Sequence, residues 1–131
     1  MVTTEKSKTY TTYALKSFFE HTPITSADRF FLIDNDGTFS LDESQRQLPI
    51  ELYRADKRRS FAENANMAAA ETLKGDHDLV FLNNDVIFSA GWFDPVKNAP
   101  TAVLVPLSNR EIQYSVPEIG EMFALSLRME L

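Results

Sequence analysis

The stretch FFLIDNDGTFS, residues 30–40, places an apolar run directly before acidic, amide and glycine residues. Residues 29–33 have the length and the aromatic and aliphatic content of a buried strand. Asp34, Asn35, Asp36 and Gly37 form turns readily, because their side chains bond locally or tolerate positive φ. The stretch therefore predicts a strand that ends at an acidic turn.

Short apolar runs and helix-like segments alternate on both sides of this strand. We predict further strands at residues 1–4, 48–53, 79–82 and 103–105, and helices at residues 10–21, 60–73 and 115–131. Such alternation is typical of α/β proteins. We therefore expect one α/β domain over residues 1–131, with a mostly parallel central sheet flanked by helices.

Charge and cysteine content exclude several classes of protein. Thirteen Lys and Arg against 19 Asp and Glu give a net charge of −6, so no overall basic field favours nucleic acid. The one basic cluster, residues 57–59, is expected to be a solvated loop. The absence of cysteine excludes disulfides and thiolate metal sites and fits a cytoplasmic protein. Apolar runs of strand length predict no transmembrane segment.

Two acidic clusters are predicted to follow strands, at residues 34–36 and 83–85. Ligands of parallel α/β sheets bind beyond the carboxyl ends of the strands, so both clusters belong to the edge where a site is expected. A plain turn would also explain either composition. From these residues alone, a turn and a ligand-binding loop both stay open.

The string Asp34-Asn35-Asp36-Gly37-Thr38 resembles the DxDGT motif of haloacid dehalogenase-type phosphatases. That resemblance implies that Asp34 attacks phosphorus and that Asp36 acts as the acid and base. The family also requires a strand ending in Ser or Thr, a later Lys and an acidic pair. Ser108 meets the first requirement, but no Lys follows Lys97 and no acidic pair follows Ser108.

A longer run, FAENANMAAAETLKGDHDLVFLNNDVIFSAGWFDP at residues 61–95, resembles the core of GT-A fold glycosyltransferases of the family 2 type. The matching features are a helix, the tripeptide at 74–76, the strand LVFL, the triplet at 83–85 and the dipeptide Gly91-Trp92. TTYALKSFFEHT resembles that family's first helix, and FFLIDNDGT resembles its second strand. The resemblance covers residues 2–109 and implies a Rossmann-like GT-A sandwich.

The resemblance also implies a ligand and a set of site residues. The ligand is a nucleotide-diphospho-sugar, with UDP as the expected nucleotide, bound together with Mn²⁺ or Mg²⁺. Asp85 and Asn83 match the metal-binding triplet, although Asn83 stands where the family often has Asp. The positions that match nucleotide-binding residues are Thr3, Thr4, Asp34, Asn66 and Asn84. Asp34 corresponds to the residue that accepts a hydrogen bond from the base. Ala65 replaces a common Arg.

The acceptor side of the resemblance is short, and the acceptor can be a carbohydrate, a lipid or a protein. Glu111, Glu118 and Glu121 match no motif, so the catalytic base is unknown. Three hypotheses stay open: a glycosyltransferase, a noncatalytic nucleotide-binding or interaction module of the same fold, and a phosphatase using Asp34 and Asp36. A homo-oligomer would cover the exposed edge of an incomplete sheet.

Overall fold

The computed structural model describes residues 1–75 and 77–98. Its regular elements, in chain order, are β1 (Val2–Thr3), α1 (Lys8–His21), β2 (Phe30–Asp34), β3 (Ile50–Arg54), α2 (Phe61–Thr72) and the single turn α3 (Asp94–Lys97). All three strands and both longer helices fall within two residues of the predicted bounds. The strand predicted at 103–105 and the helix predicted at 115–131 lie outside the described residues.

The three strands form one parallel sheet in the order β1-β2-β3. All five residues of β2 pair with β3, from Phe30 opposite Ile50 to Asp34 opposite Arg54. Parallel strands joined through a helix, as β1 and β2 are joined through α1, confirm the predicted α/β class.

Strand β1 is only two residues long, and backbone contacts beyond it reinforce its pairing. The Met1 amino group donates to Phe31 O at 2.9 Å, and Ile33 N donates to Met1 O at 2.8 Å. At the other end, Asn35 N donates to Thr3 O at 2.9 Å. Burial lowers the pKa of the Met1 amine to about 6.

An aromatic cluster holds α1 against the sheet. Phe18 contacts the rings of Phe19, Phe30 and Phe88, with centroids 5.2, 4.9 and 5.3 Å away. Ser17 also accepts a hydrogen bond from Phe88 N at 3.1 Å. The ring contact and the hydrogen bond of Phe88 therefore help to fix the chain after α2 to α1.

Helix α2 begins at a reciprocal capping box. Ser60 accepts from Glu63 N at 3.3 Å, and the Glu63 carboxylate accepts from Ser60 N at 2.7 Å. Two of the backbone donors that a helix start leaves unpaired are thus satisfied. Gly75 N donates to Thr72 O at 3.2 Å just past the end of the helix.

The strand predicted at residues 79–82 is not formed. Residues 77–83 have no regular secondary structure, and Leu79, Val80 and Phe81 are each about 40% exposed. Among the described residues, β1 pairs only with β2, so its other edge is open. Because β1 is only two residues long, this edge is too short to order a four-residue strand beside it. Apolar composition was therefore insufficient to predict pairing.

The chain divides into two compact units, Met1–Phe88 and Ser89–Leu131. In the described part of the second unit, Gly91 has φ of 80° and Asp94 N donates to Gly91 O at 3.1 Å, just before α3. Trp92 is buried, and the centroid of its ring lies 5.3 Å from that of Phe93. None of the described helices is long and apolar enough to cross a bilayer.

We expect Phe18→Ala to lower the free energy of unfolding by about 3–5 kcal/mol, because it removes a buried ring and leaves a cavity. Phe18 is 5% exposed and touches three other rings. Tyr13→Ala is the matched control, since Tyr13 is on the same helix but 59% exposed. Urea denaturation followed by circular dichroism measures both. Equal losses in the two variants would contradict this account of the core.

Candidate functional site

Three polar side chains lie side by side at the carboxyl edge of the sheet. Thr3 is the register partner of Asp34, and Asp34 is the partner of Arg54. Register partners in a parallel sheet share a face, so these side chains line the face that α1 covers. Two of the predicted nucleotide-binding residues, Thr3 and Asp34, are therefore neighbours.

Asp34 is completely buried, and only one of its two carboxyl oxygens accepts a hydrogen bond. Its Oδ2 accepts a hydrogen bond from Phe39 N at 3.0 Å, and Arg54 donates to Phe39 O at 3.2 Å. Its Oδ1 is also buried and has no hydrogen-bond partner among the described residues. A buried acceptor without a donor costs about 1–3 kcal/mol, so this oxygen requires an explanation.

The pKa values of the two carboxyl groups in the acidic turn shift in opposite directions: that of Asp34 is raised and that of Asp36 is lowered. Burial and the nearby Asp36 carboxyl raise the pKa of Asp34, although no hydrogen bond joins Asp34 Oδ1 to Asp36. Desolvation also acts upward on Asp36, but hydrogen bonds, beginning with that of the Thr38 hydroxyl, lower the pKa of this group overall. Asp34 is thus the carboxyl group that the fold favours in its neutral form.

Residues 36–38 make the tight bend that the sequence predicted after β2. Asp36 Oδ1 accepts from the Thr38 hydroxyl at 2.9 Å. Gly37 has φ of 72°, and a Cβ there would lie 3.3 Å from Ala55 O. The Asp-Gly-Thr string is therefore explained by turn geometry.

A cluster of hydroxyl groups surrounds the end of β1. Thr3 and Thr11 are both buried, and their hydroxyl oxygens are 2.6 Å apart. Ser7 Oγ accepts from Thr4 N at 3.1 Å and donates to Thr4 O at 3.0 Å, which fixes the short 3₁₀ turn between β1 and α1. Ser7 and Thr11 were not predicted as site residues.

Asn84 joins this hydroxyl cluster from a distant part of the chain. Its Nδ2 donates to Ser7 Oγ at 2.9 Å and to Thr11 Oγ1 at 3.0 Å. These partners are 77 and 73 positions away in the sequence. The predicted residues Thr3, Thr4 and Asn84 are therefore brought together, with Asp34 beside Thr3.

The remaining predicted residues are on the surface. Asn83 and Asp85 flank Asn84 and are exposed, and Asn66 is exposed on α2. The described residues contain no group of three His, Cys, Asp or Glu side chains arranged to hold a metal. Mg²⁺ commonly uses one or two carboxylates together with substrate phosphates, so one exposed carboxylate beside amide oxygens fits a metal that binds with its nucleotide.

A second polar network, on the other face of β2, was missed in the sequence. Asn35 accepts from Arg59 N at 2.9 Å and from Asn64 Nδ2 at 3.0 Å, and donates to Arg59 O at 2.9 Å. Asn64 is completely buried, and its Oδ1 has no partner among the described residues. In the sequence, the two amide residues, Asn35 and Asn64, lie before and after the basic cluster at residues 57–59. This network fixes the start of α2 at the same edge of the sheet.

The basic cluster and a cavity lie near α2. Lys57 and Arg58 are exposed, as expected for a solvated loop, but the Arg59 side chain is only 20% exposed and pairs with Asp56 at 2.9 Å. A cavity of about 300 Å³ opens on the α2 face of the sheet, lined by Phe31, Ile33, Tyr53, Met67, Ala68 and Glu71. Its lining is mostly apolar and contains none of the predicted site residues.

The phosphatase hypothesis gains no support from this geometry. A nucleophilic carboxylate must reach phosphorus, and Asp34 has no exposed surface. Ser108, the other residue of that resemblance, lies outside the described residues.

Comparison of the chain with models of protein families, with characterised proteins and with solved structures gives no match.

We expect Asp34→Asn to raise the melting temperature at pH 7. A raised folded-state pKa means that ionised Asp34 destabilises the fold, and the penalty grows as pH rises from the ordinary pKa of 3.8 through the raised value. A neutral amide removes this penalty, so the gain in melting temperature should shrink as the pH is lowered through the same range.

Asp36→Asn is expected to change the melting temperature in the opposite direction. In the wild type, the lowered pKa of Asp36 means that its ionised form stabilises the fold above pH 3.8, and this stability is lost as pH falls through the folded-state pKa. This variant should melt below the wild type at pH 7. Thermal unfolding from pH 3 to 8 compares the three proteins, and an Asp34→Asn protein less stable than wild type at pH 7 would refute the assigned direction.

Proposed function

We propose that this chain is a GT-A-type glycosyltransferase domain that binds a UDP-sugar with Mn²⁺ or Mg²⁺ and transfers the sugar to an acceptor. The observation that carries the proposal is the hydrogen bonding of Asn84 to Ser7 and Thr11 beside Thr3. Residues selected by the resemblance from both ends of the described chain thus meet at the edge where α/β sheets bind ligands.

The unpartnered oxygen of Asp34 supports recognition of a nucleobase. Asp34 Oδ1 is buried and lacks a donor. The imide N–H of uracil is a donor that would satisfy this oxygen, whereas the corresponding ring nitrogen of cytosine is an acceptor. Since Phe39 is fully buried and donates to Oδ2 of the same carboxylate, binding requires the loop after β2 to move aside. Ligand binding then replaces an unsatisfied acceptor with a satisfied one.

The triplet at residues 83–85 supports a metal-dependent diphosphate site. Asp85 would hold the cation, with Asn83 offering an amide oxygen, and both are exposed on the chain segment that Asn84 anchors. Bound there, Mn²⁺ or Mg²⁺ supplies positive charge that stabilises the diphosphate leaving group. The protein's own part would be to place carboxylate and amide oxygens beside the Thr3–Asp34 edge before the donor arrives.

UDP should bind more tightly with Mn²⁺ than without it, and Asp85→Ala should weaken the Mn²⁺-dependent binding at least about tenfold by removing the metal's carboxylate. Calorimetric titration of UDP, GDP and ADP, each with and without Mn²⁺, measures this. Asp78→Ala is the matched control, because Asp78 is an exposed carboxylate in the same irregular segment. Absence of binding by every nucleotide would overturn the proposal, and equal affinity with and without metal would overturn its metal component.

Asp34→Asn should weaken UDP binding by about tenfold or more, since the amide replaces one carboxyl oxygen with a nitrogen that cannot accept the imide N–H. The same titrations, made on protein shown to be folded by thermal unfolding, test this. If UDP affinity is unchanged in Asp34→Asn, the base-recognition role is wrong. Hydrolysis of a phosphate monoester that depends on Asp34 but not on Asp85 would instead favour a phosphatase.

A further inference from the structure

The hydrogen-bond donors of Asn84 are completely used inside the hydroxyl cluster. A side-chain amide nitrogen carries two hydrogens, and Asn84 Nδ2 directs them to Ser7 Oγ at 2.9 Å and Thr11 Oγ1 at 3.0 Å. The amide therefore has no hydrogen left for a ligand.

The hydroxyl groups are arranged to accept both of these hydrogens. Ser7 Oγ gives its own hydrogen to Thr4 O at 3.0 Å, and Thr11 Oγ1 gives its hydrogen to Ser7 O at 3.1 Å. In the 2.6 Å contact between Thr3 and Thr11, either hydroxyl can be the donor. Ser7 and Thr11 accept the two hydrogens of the Asn84 amide.

These two contacts hold the amide nitrogen of Asn84 against the hydroxyl cluster. Asn84 is half-buried, and its Oδ1 makes no hydrogen bond to any described residue. The carbonyl oxygen is therefore the only polar atom of this side chain available to a ligand, and it attracts cations but repels phosphate oxygens.

We propose that Ser7 and Thr11 are positioning residues for the divalent cation. They hold the Asn84 amide with its carbonyl outward and thereby fix the turn that carries Asp85, so that two neighbouring residues offer only oxygen to the metal. This inference rests on the proposed function, because it assigns residues that prepare the same metal site. Neither Ser7 nor Thr11 touches the cation.

Thr11→Val removes the hydroxyl with little change in volume, and Thr11→Ser restores it. We expect Thr11→Val to weaken Mn²⁺ binding about tenfold, within the 10- to 100-fold loss usual for residues that orient metal ligands. Thr11→Ser should bind Mn²⁺ within about twofold of wild type. Electron paramagnetic resonance of free Mn²⁺, with saturating UDP, gives the affinities. If both variants match wild type, the positioning role is wrong.

Hydrogen–deuterium exchange tests the positioning without any ligand. Amides at residues 84–86 should exchange faster in Thr11→Val than in wild type and return to the wild-type rate in Thr11→Ser. Unchanged exchange in Thr11→Val overturns the inference. If Thr11→Val does not fold, Ser7→Ala, which removes the other acceptor, takes its place in both experiments.

The two measurements separate this inference from the proposed function. Failure of wild-type protein to bind Mn²⁺ and UDP rejects the proposed function, and the cation role with it, while the exchange rates still decide whether Ser7 and Thr11 fix Asn84. Normal wild-type binding with equal affinities in all variants rejects the inference alone.

Discussion

The register between β1 and β2 is the constraint on which the candidate site depends. Pairing of Thr3 with Asp34 places a hydroxyl and a carboxyl on the same face of the sheet, above α1. A slip of one residue would turn every side chain of β1 to the opposite face and separate Thr3 from Thr11. With only two residues in the strand, the contacts of Met1 and Asn35 at its ends are what oppose such a slip.

Asp34 shows how the fold retains a group that lowers its own stability. Its carboxyl group is buried, its pKa is raised and one of its oxygens lacks a donor. A site optimised for stability alone would carry an amide or an apolar residue there. Functional sites commonly retain such locally unfavourable groups, because the ligand supplies the missing partner. This combination is a stronger indication of a ligand site than the acidic composition of the turn.

Much of the fold was predictable because local patterns and tertiary packing agree. The apolar run of β2, the helical spacing in α1 and the alanine-rich α2 all form within two residues of the predicted bounds. The segment 79–82 has an equally apolar pattern but depends on a neighbouring strand that β1 is too short to provide. Periodicity describes what a segment can bury, whereas pairing depends on a partner elsewhere in the chain.

The same distinction separates the predicted site residues from the missed ones. Asp34 and Asn84 follow apolar runs and resemble positions of a family motif, so the sequence selected them as candidates. Ser7 and Thr11 are ordinary residues of a helix start, and their importance comes from one amide more than 70 positions away. No pattern along the chain encodes that contact. Hydrogen-bond complementarity between distant segments had to be read from the structure.

The separation between Asn84 and its two acceptors also has a kinetic consequence. Contacts that join distant positions form slowly, since a long loop must close before the contact contributes any stabilisation. Helix α1, β2 and β3 all lie within the first 54 residues, but the hydroxyl cluster acquires its partner Asn84 only after residue 84 has been synthesised. During synthesis on the ribosome, the scaffold of this edge is therefore available before the site on it is complete.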